Sequence, residues 1–270
     1  MKNILKCAGW SILYFVIIFI VQFGFMMVGI SNGIENEEML NQFAINNNLL
    51  LTIFSNIVAI IIFGIIWNVK INKKQESKEE HVQNTKKNYI FLILIAFLYS
   101  LLFLMITYNI YFSGINDTIT SMNYFNSKNQ FLGFVLYTIS ILIVAPISEE
   151  LLCRGIMFGE LNKKFSENQA IIISAVVFGV MHLMAGGVVL AIGAIIMGII
   201  LGFAYKTTKS LPRTMFVHGV ANFADIIMLF LGKISSTNLI VFTIIIAIAL
   251  LSIILLYYNR NSVIATKESN

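Results

Sequence analysis

Residues 131–154, FLGFVLYTISILIVAPISEELLCR, decide how this chain folds. From Phe131 to Ser148 no side chain is charged, and the run is as long as an α-helix needs to cross the hydrocarbon of a bilayer, about 20 residues. It then carries Glu149, Glu150 and Arg154. Placing an ionised side chain near the bilayer centre costs about 2.5–3.5 kcal/mol on insertion scales. A segment that is apolar and then acidic therefore asks for a membrane and for partners to its carboxylates. Pro146, a few residues earlier, removes one backbone donor and predicts a kink that opens a water-lined cavity beside the acidic pair.

The same apolar pattern recurs on both sides. Of the 270 residues 58% are hydrophobic and 11% charged, against about a quarter charged in soluble domains. The reading is an all-α, polytopic membrane protein with about eight transmembrane helices. The spans are Ala8–Ile30, Leu49–Trp67, Tyr89–Ile110, Phe131–Leu152, Asn168–Ala185, Val188–Tyr205, Leu211–Leu231 and Asn238–Tyr258. With the first residue in the cytoplasm, all of the 18 basic residues except Lys128 and Lys233 fall on the cytoplasmic side, Arg154 included. That asymmetry predicts a multi-pass protein of the cell membrane with both termini cytoplasmic. The net charge of +5 is thus a topological signal, with no nucleic-acid partner implied. The first span lacks a small-residue cleavage site and reads as retained. Cys7 and Cys153 read as free thiols. The charged stretch Lys70–Lys87, with His81, reads as a solvated hairpin.

The few polar groups inside spans define a candidate site. Glu150 and Arg154 are four apart and stack on one helical face, in the orientation that favours an ion pair; Glu149 points about 100° away. His182 lies in Phe178-Gly179-Val180-Met181-His182. His218 and Asn222 share a face of the seventh span, with Asp225 three residues on as a further candidate partner. Depth is the difficulty. The acidic pair reads as lying at the inner edge of its span and His218 within roughly 10 Å of the same side, whereas His182 falls near the outer end of the fifth span. Either that span begins later, after a tilted or re-entrant segment, or the helices are offset. Set beside these charges, the bland reading is a membrane-edge acidic pair with polar groups joining helices at about 1 kcal/mol per contact.

Glu149-Glu150-Leu-Leu-Cys-Arg154, Phe178-Gly-Val-Met-His182 and His218-Gly-Val-Ala-Asn222, in that order, resemble the three motifs of the CPBP family (CAAX protease and bacteriocin-processing, or Abi) of intramembrane endopeptidases. The resemblance covers Phe131 to Phe230. It divides the chain into N-terminal spans and loop (1–130), a catalytic core (131–230) and a last span with its tail (231–270). The resemblance implies that Glu149 and His182 activate the attacking water, His218 and Asn222 stabilise the oxyanion, and Glu150 with Arg154 hold the acidic helix. Glu149, His182 and His218 are also a donor set that Zn²⁺ accepts. The helical zinc signature His-Glu-x-x-His is absent from the sequence, so metal and bare-glutamate chemistry both stay open.

The activity expected is endopeptidase cleavage of a membrane-associated peptide or lipidated protein, with the bilayer as the other partner, in peptide or bacteriocin maturation or self-immunity. Abundant Ile, Asn and Lys suggest an AT-rich bacterial genome, which favours a leader-bearing or lipidated peptide over a true CAAX protein. The alternative is a non-catalytic immunity or scaffold protein of the same fold. A proton-relaying transporter would show inverted repeats or paired broken helices, and the sequence shows neither. No Gly-x-Ser-x-Gly motif occurs, and Asp225 has no second membrane aspartate to pair with.

Overall fold

A computed structural model describes residues 2–70, 85–231 and 234–268. The interior of the charged hairpin with His81, and Lys233, lie outside these residues. In a bilayer every backbone N–H and C=O must be paired internally, and the chain meets that demand with helices alone; the described residues contain no strand. The elements are α1 (Lys2–Ser31), α2 (Glu37–Asn46), α3 (Asn48–Lys70), α4 (Thr85–Ile106), α5 (Tyr108–Gly114), α6 (Asn116–Lys128), α7 (Leu132–Leu161), α8 (Glu167–Thr208), α9 (Leu211–Leu231) and α10 (Ser236–Glu268).

Seven of the described helices, α1, α3, α4, α7, α8, α9 and α10, are long and apolar enough to cross a membrane, against about eight expected. The difference is α8, a 42-residue helix that takes the place of the fifth and sixth spans. Its helical geometry breaks at Gly186 (φ −156°, ψ 22°) and Gly187 (φ 68°, ψ −164°), the latter a conformation that glycine alone adopts at little cost. A methyl group on Gly202 would stand 2.6 Å from Ile171, one on Gly198 3.0 Å from Ala175, and one on Gly179 2.6 Å from the Ala191 carbonyl. Partners that move apart along the chain as one descends the element mean two antiparallel arms in near backbone contact. Small residues permit that closeness in membranes. Ser166 and Gln169 form a reciprocal capping box at the start of α8, which satisfies donors that would otherwise be orphaned there.

A second correction concerns the deciding stretch. The expected fourth span stops at Leu152, but α7 continues to Leu161, and Cys153, Arg154, Gly155, Ile156, Met157, Phe158 and Leu161 are all buried. Arg154 is therefore no cytoplasmic-loop residue. The acidic pair lies about 11 residues, or ~16 Å, from the C-terminal end of its helix instead of next to that end. Near that end Glu160 pairs with Lys6 of α1 (3.2 Å) and with Lys163.

The site helices are enclosed on two sides. On one, α1 and α3 share a single core with α7 and α8, built on Phe63, Leu152, Ile156, Leu161, Ile171 and Phe178. On the other, α4 packs along α8, α9 and α10, with Leu92, Ala96, Leu201, Val217 and Ala221 forming one cluster and Leu104, Met105, Ala224 and Met228 another.

Candidate active site

The geometry begins with Pro146. Just before it, Ser140–Val144 winds as a π-helix, in which the Ala145 N–H reaches the Ser140 carbonyl. In this i→i+5 register the Ile141 carbonyl looks to the Pro146 nitrogen, which carries no hydrogen. Asn222 of α9 supplies the missing donor, its Nδ2 lying 2.9 Å from the Ile141 oxygen. The neighbouring Leu142 carbonyl is approached by Gly219, where a Cβ would sit 2.5 Å from that oxygen. The proline thus frees carbonyls on α7 that fix α9 and its His218–Asn222 face at close range.

A second π-helical stretch, Leu151–Met157, follows the acidic pair; such widened turns are frequent at functional sites. Within it the expected ion pair forms. Arg154 Nη1 donates to Glu150 Oε1 at 2.8 Å, with both side chains 0% exposed. Its Nη2 donates to the Gly198 carbonyl at 2.6 Å, and the guanidinium lies 5.5 Å from the centre of the Phe178 ring. One arginine therefore ties α7 to both arms of α8. His218 Nδ1 stands 3.0 Å from the same Glu150 oxygen, and its Nε2 lies 3.7 Å from Glu149 Oε2. His218 is thus set between the two carboxylates, one sealed and one 15% exposed. Since Glu150 is the acceptor for Arg154, His218 Nδ1–H donates to it and Nε2 is turned toward Glu149.

His182 is held differently. Its Nδ1 lies 2.8 Å from the Phe178 carbonyl; a carbonyl only accepts, so Nδ1 carries the proton and Nε2 keeps its lone pair. The Phe178 ring packs on both histidines, 4.4 Å from the His182 ring centre and 5.9 Å from that of His218. Two cavities meet at His182. One, of about 760 Å³, is lined by Glu149, His182 and Met181 together with Tyr14, Phe15 and Phe19 of α1. The other, of about 130 Å³, is lined by His182, His218, Asn222, Asp225 and Tyr99 among others.

The depth conflict resolves as an offset. The tip of α8 (Ala185, Gly186) lines a cavity with Asp225, six residues before the end of α9, so α9 continues about 9 Å past the tip. His182, close to the tip of a hairpin that stops short, comes level with Asn222. All six expected residues, Glu149, Glu150, Arg154, His182, His218 and Asn222, surround this junction.

Three residues were missed. Asn56 of α3 accepts from Tyr14 of α1 at 3.0 Å and from the Ser148 hydroxyl at the same Oδ1, while its Nδ2 donates to the Thr52 carbonyl at 2.9 Å. This buried triad anchors α7 at the residue before Glu149. An asparagine in the middle of an apolar span is a usable signal, but unlike Asn222 it has no histidine one turn away to mark it.

The metal expectation fares less well. Among the described residues no three His, Cys, Asp or Glu side chains gather to hold an ion. Glu149 and His218 Nε2 approach each other at 3.7 Å, and because the Nδ1–H of His218 is given to Glu150 and that of His182 to Phe178, Nε2 is the nitrogen each ring would offer a metal. As placed, the three side chains are not gathered closely enough to hold an ion together.

Residues 131–224 match the family model for type II CAAX prenyl endopeptidase Rce1-like proteins. This segment is similar to the Rce1-like family. It contains every residue of the junction apart from the Tyr14–Asn56 support, and it agrees with the resemblance drawn from the three motifs. The chain as a whole is similar over 237 residues, at 27% identity, to a protein of Mycoplasma capricolum subsp. capricolum named only as an uncharacterized protein, a match covering 82% of this chain and 68% of that one. No solved structure matches. The similarity links the segment that carries the site to a membrane-protease type of family.

Proposed function

We propose that the protein is an intramembrane endopeptidase whose water is activated by Glu149. The observation that carries this reading is the junction itself: a partly exposed carboxylate, Glu149, set beside His218 Nε2 at 3.7 Å and on the wall of a cavity shared with His182.

In this reading a water in that cavity gives hydrogen bonds to Glu149 and to the lone pair on His182 Nε2. As its oxygen adds to the scissile carbonyl, its proton passes to Glu149, which later delivers it to the leaving amine. The carbonyl oxygen, now negative, receives His218 Nε2–H and the Asn222 N–H that is not bound to Ile141. In this step His218 donates from both nitrogens, Nδ1–H to Glu150 and Nε2–H to the oxyanion. Arg154 holds Glu150 in place for that contact. Donors fixed in advance in a water-poor cavity stabilise an oxyanion strongly, and losing one typically costs about 100- to 1,000-fold in turnover. The apolar cavity beside Glu149, lined by Tyr14, Phe15, Ile18 and Phe19, suits a membrane-associated peptide or lipidated protein in the bilayer of the cell membrane, with both termini cytoplasmic. A role in peptide or bacteriocin maturation or self-immunity follows from the same reading.

The test is cleavage of a fluorogenic library of apolar peptides by the purified full chain and by Glu149→Ala, His182→Ala, His218→Ala and Asn222→Ala. Cleavage by wild type with a loss of about a hundredfold or more in each variant is the expected result. A chelator arm separates a bare-glutamate reaction, which it leaves unchanged, from one in which the donors close on zinc. Equal rates in all five proteins would remove the junction from the chemistry and favour the non-catalytic immunity or scaffold reading.

A further inference from the structure

Asp225 has no part in the reaction just described, yet it is a carboxylate inside a spanning helix. It lines the small cavity with His182, His218 and Asn222 and also a second one of about 270 Å³ beyond it, bounded by Phe103, Tyr111, Tyr137, Ile115 and Leu190. The two cavities share Phe103, Leu104, Leu190 and Asp225, so they form one path leading away from the catalytic junction with Asp225 at the join. No lysine, arginine or histidine lines the outer chamber. Tyr111 donates its hydroxyl to the Asp225 main-chain carbonyl at 3.2 Å, which fixes the backbone of α9 where Asp225 lines both cavities.

A carboxylate at this depth costs about 2.5–3.5 kcal/mol on insertion scales and is a poor lining for a hydrocarbon group. It suits a guest that brings a positive charge on an apolar stem, which is the construction of a lysine side chain. Aromatic rings add a favourable face for the cation. We infer that the chamber closed by Asp225 is a specificity pocket for a lysine or arginine side chain of the substrate. Asp225 lies three residues beyond Asn222 and seven beyond His218 on α9, about 4.5 and 10 Å along the axis. An extended peptide advances about 3.3 Å per residue, so the cation belongs about two or three residues from the scissile bond. The inference rests on the peptidase reading and names the substrate class for it.

The test walks a single lysine along an otherwise uncharged fluorogenic peptide, with ε-acetyl-lysine at the same positions as the neutral control. Wild type should cleave the lysine peptide about tenfold or more faster in kcat/KM at one position. That ratio should fall to near one in Asp225→Asn, through KM rather than kcat. Val189→Lys, which puts an internal cation on the same chamber wall, should abolish the ratio with Asp225 intact. A wild-type ratio near one, or a ratio unchanged in both variants, overturns the pocket. If no peptide is cut, the peptidase reading fails separately, and fluorescence anisotropy of the same labelled peptides decides. Tighter binding of the lysine peptide that Asp225→Asn removes supports the pocket; equal binding of both peptides rejects it.

Discussion

With Glu150 and Arg154 both sealed from solvent, removing one charge strands the other. Arg154→Met should therefore destabilise the fold by about 3–5 kcal/mol, and the double variant with Glu150→Leu should recover much of that loss. Chemical unfolding in detergent measures both, and additive losses would show that the two charges do not depend on each other. The pair itself was legible, because a four-residue spacing on one helix is local geometry. Its depth was not. Arg154 was read as a marker of the cytoplasmic edge, as an arginine usually is, and only the bond to Glu150, with the Gly198 carbonyl as second acceptor, lets it lie in the interior. The 3.0 Å contact of His218 with Glu150 joins residues 68 apart in the chain, and no spacing rule reaches that far.

At the scale of the element, the approach of α9 to α7 is set by Gly219 lying against the Leu142 carbonyl. Gly219→Ala would put a Cβ 2.5 Å from that oxygen and push His218 and Asn222 off their positions. A displacement of about 1 Å can cost a hundredfold in rate, so activity should fall by about that factor while circular dichroism shows the helix content retained. Unchanged turnover would mean that α9 has slack the packing does not suggest. In α8, Gly187→Ala places an L-residue at φ 68°, ψ −164° and should cost about 1–3 kcal/mol, again by unfolding in detergent. The two arms of α8 were legible as two apolar runs divided by Gly186-Gly187. What hydropathy could not convey was that they turn back on each other short of the end of α9, since hydropathy counts residues and says nothing of how one helix is shifted against its neighbour. The π-helical turns of α7 escaped for a similar reason: Pro146 announced a kink, but the carbonyl it frees acquires meaning only when Asn222 arrives from another helix.

For the whole molecule, composition alone decided the solvent, and the apolar runs decided that helices would do the crossing. The contribution of α1 and α3 to the site was harder to see, because Tyr14 and Asn56 lie far outside the motif-bearing region and signal only as isolated polar groups. The proposed topology puts the turn between α7 and α8 and the turn between α8 and α9 on one side, where Lys209 pairs with Glu167, and the turn between α6 and α7 on the other. In a chain with Cys7 and Cys153 replaced by alanine, single cysteines at Asn162 and Ser210 should resist a membrane-impermeant thiol reagent in intact cells and react after permeabilisation. A cysteine at Asn129 should react in both. Labelling of Asn162 and Ser210 from opposite sides would contradict the folded-back α8.

The most direct measurement is the cleavage rate of one good apolar peptide substrate by wild type and by Glu149→Gln, which keeps the size of the side chain and removes its basicity. If Glu149 takes the proton from water, kcat falls by about 100- to 10,000-fold with KM nearly unchanged and the unfolding midpoint preserved. A Glu149→Gln protein that turns over substrate at the wild-type rate would contradict the assignment of Glu149 as the base.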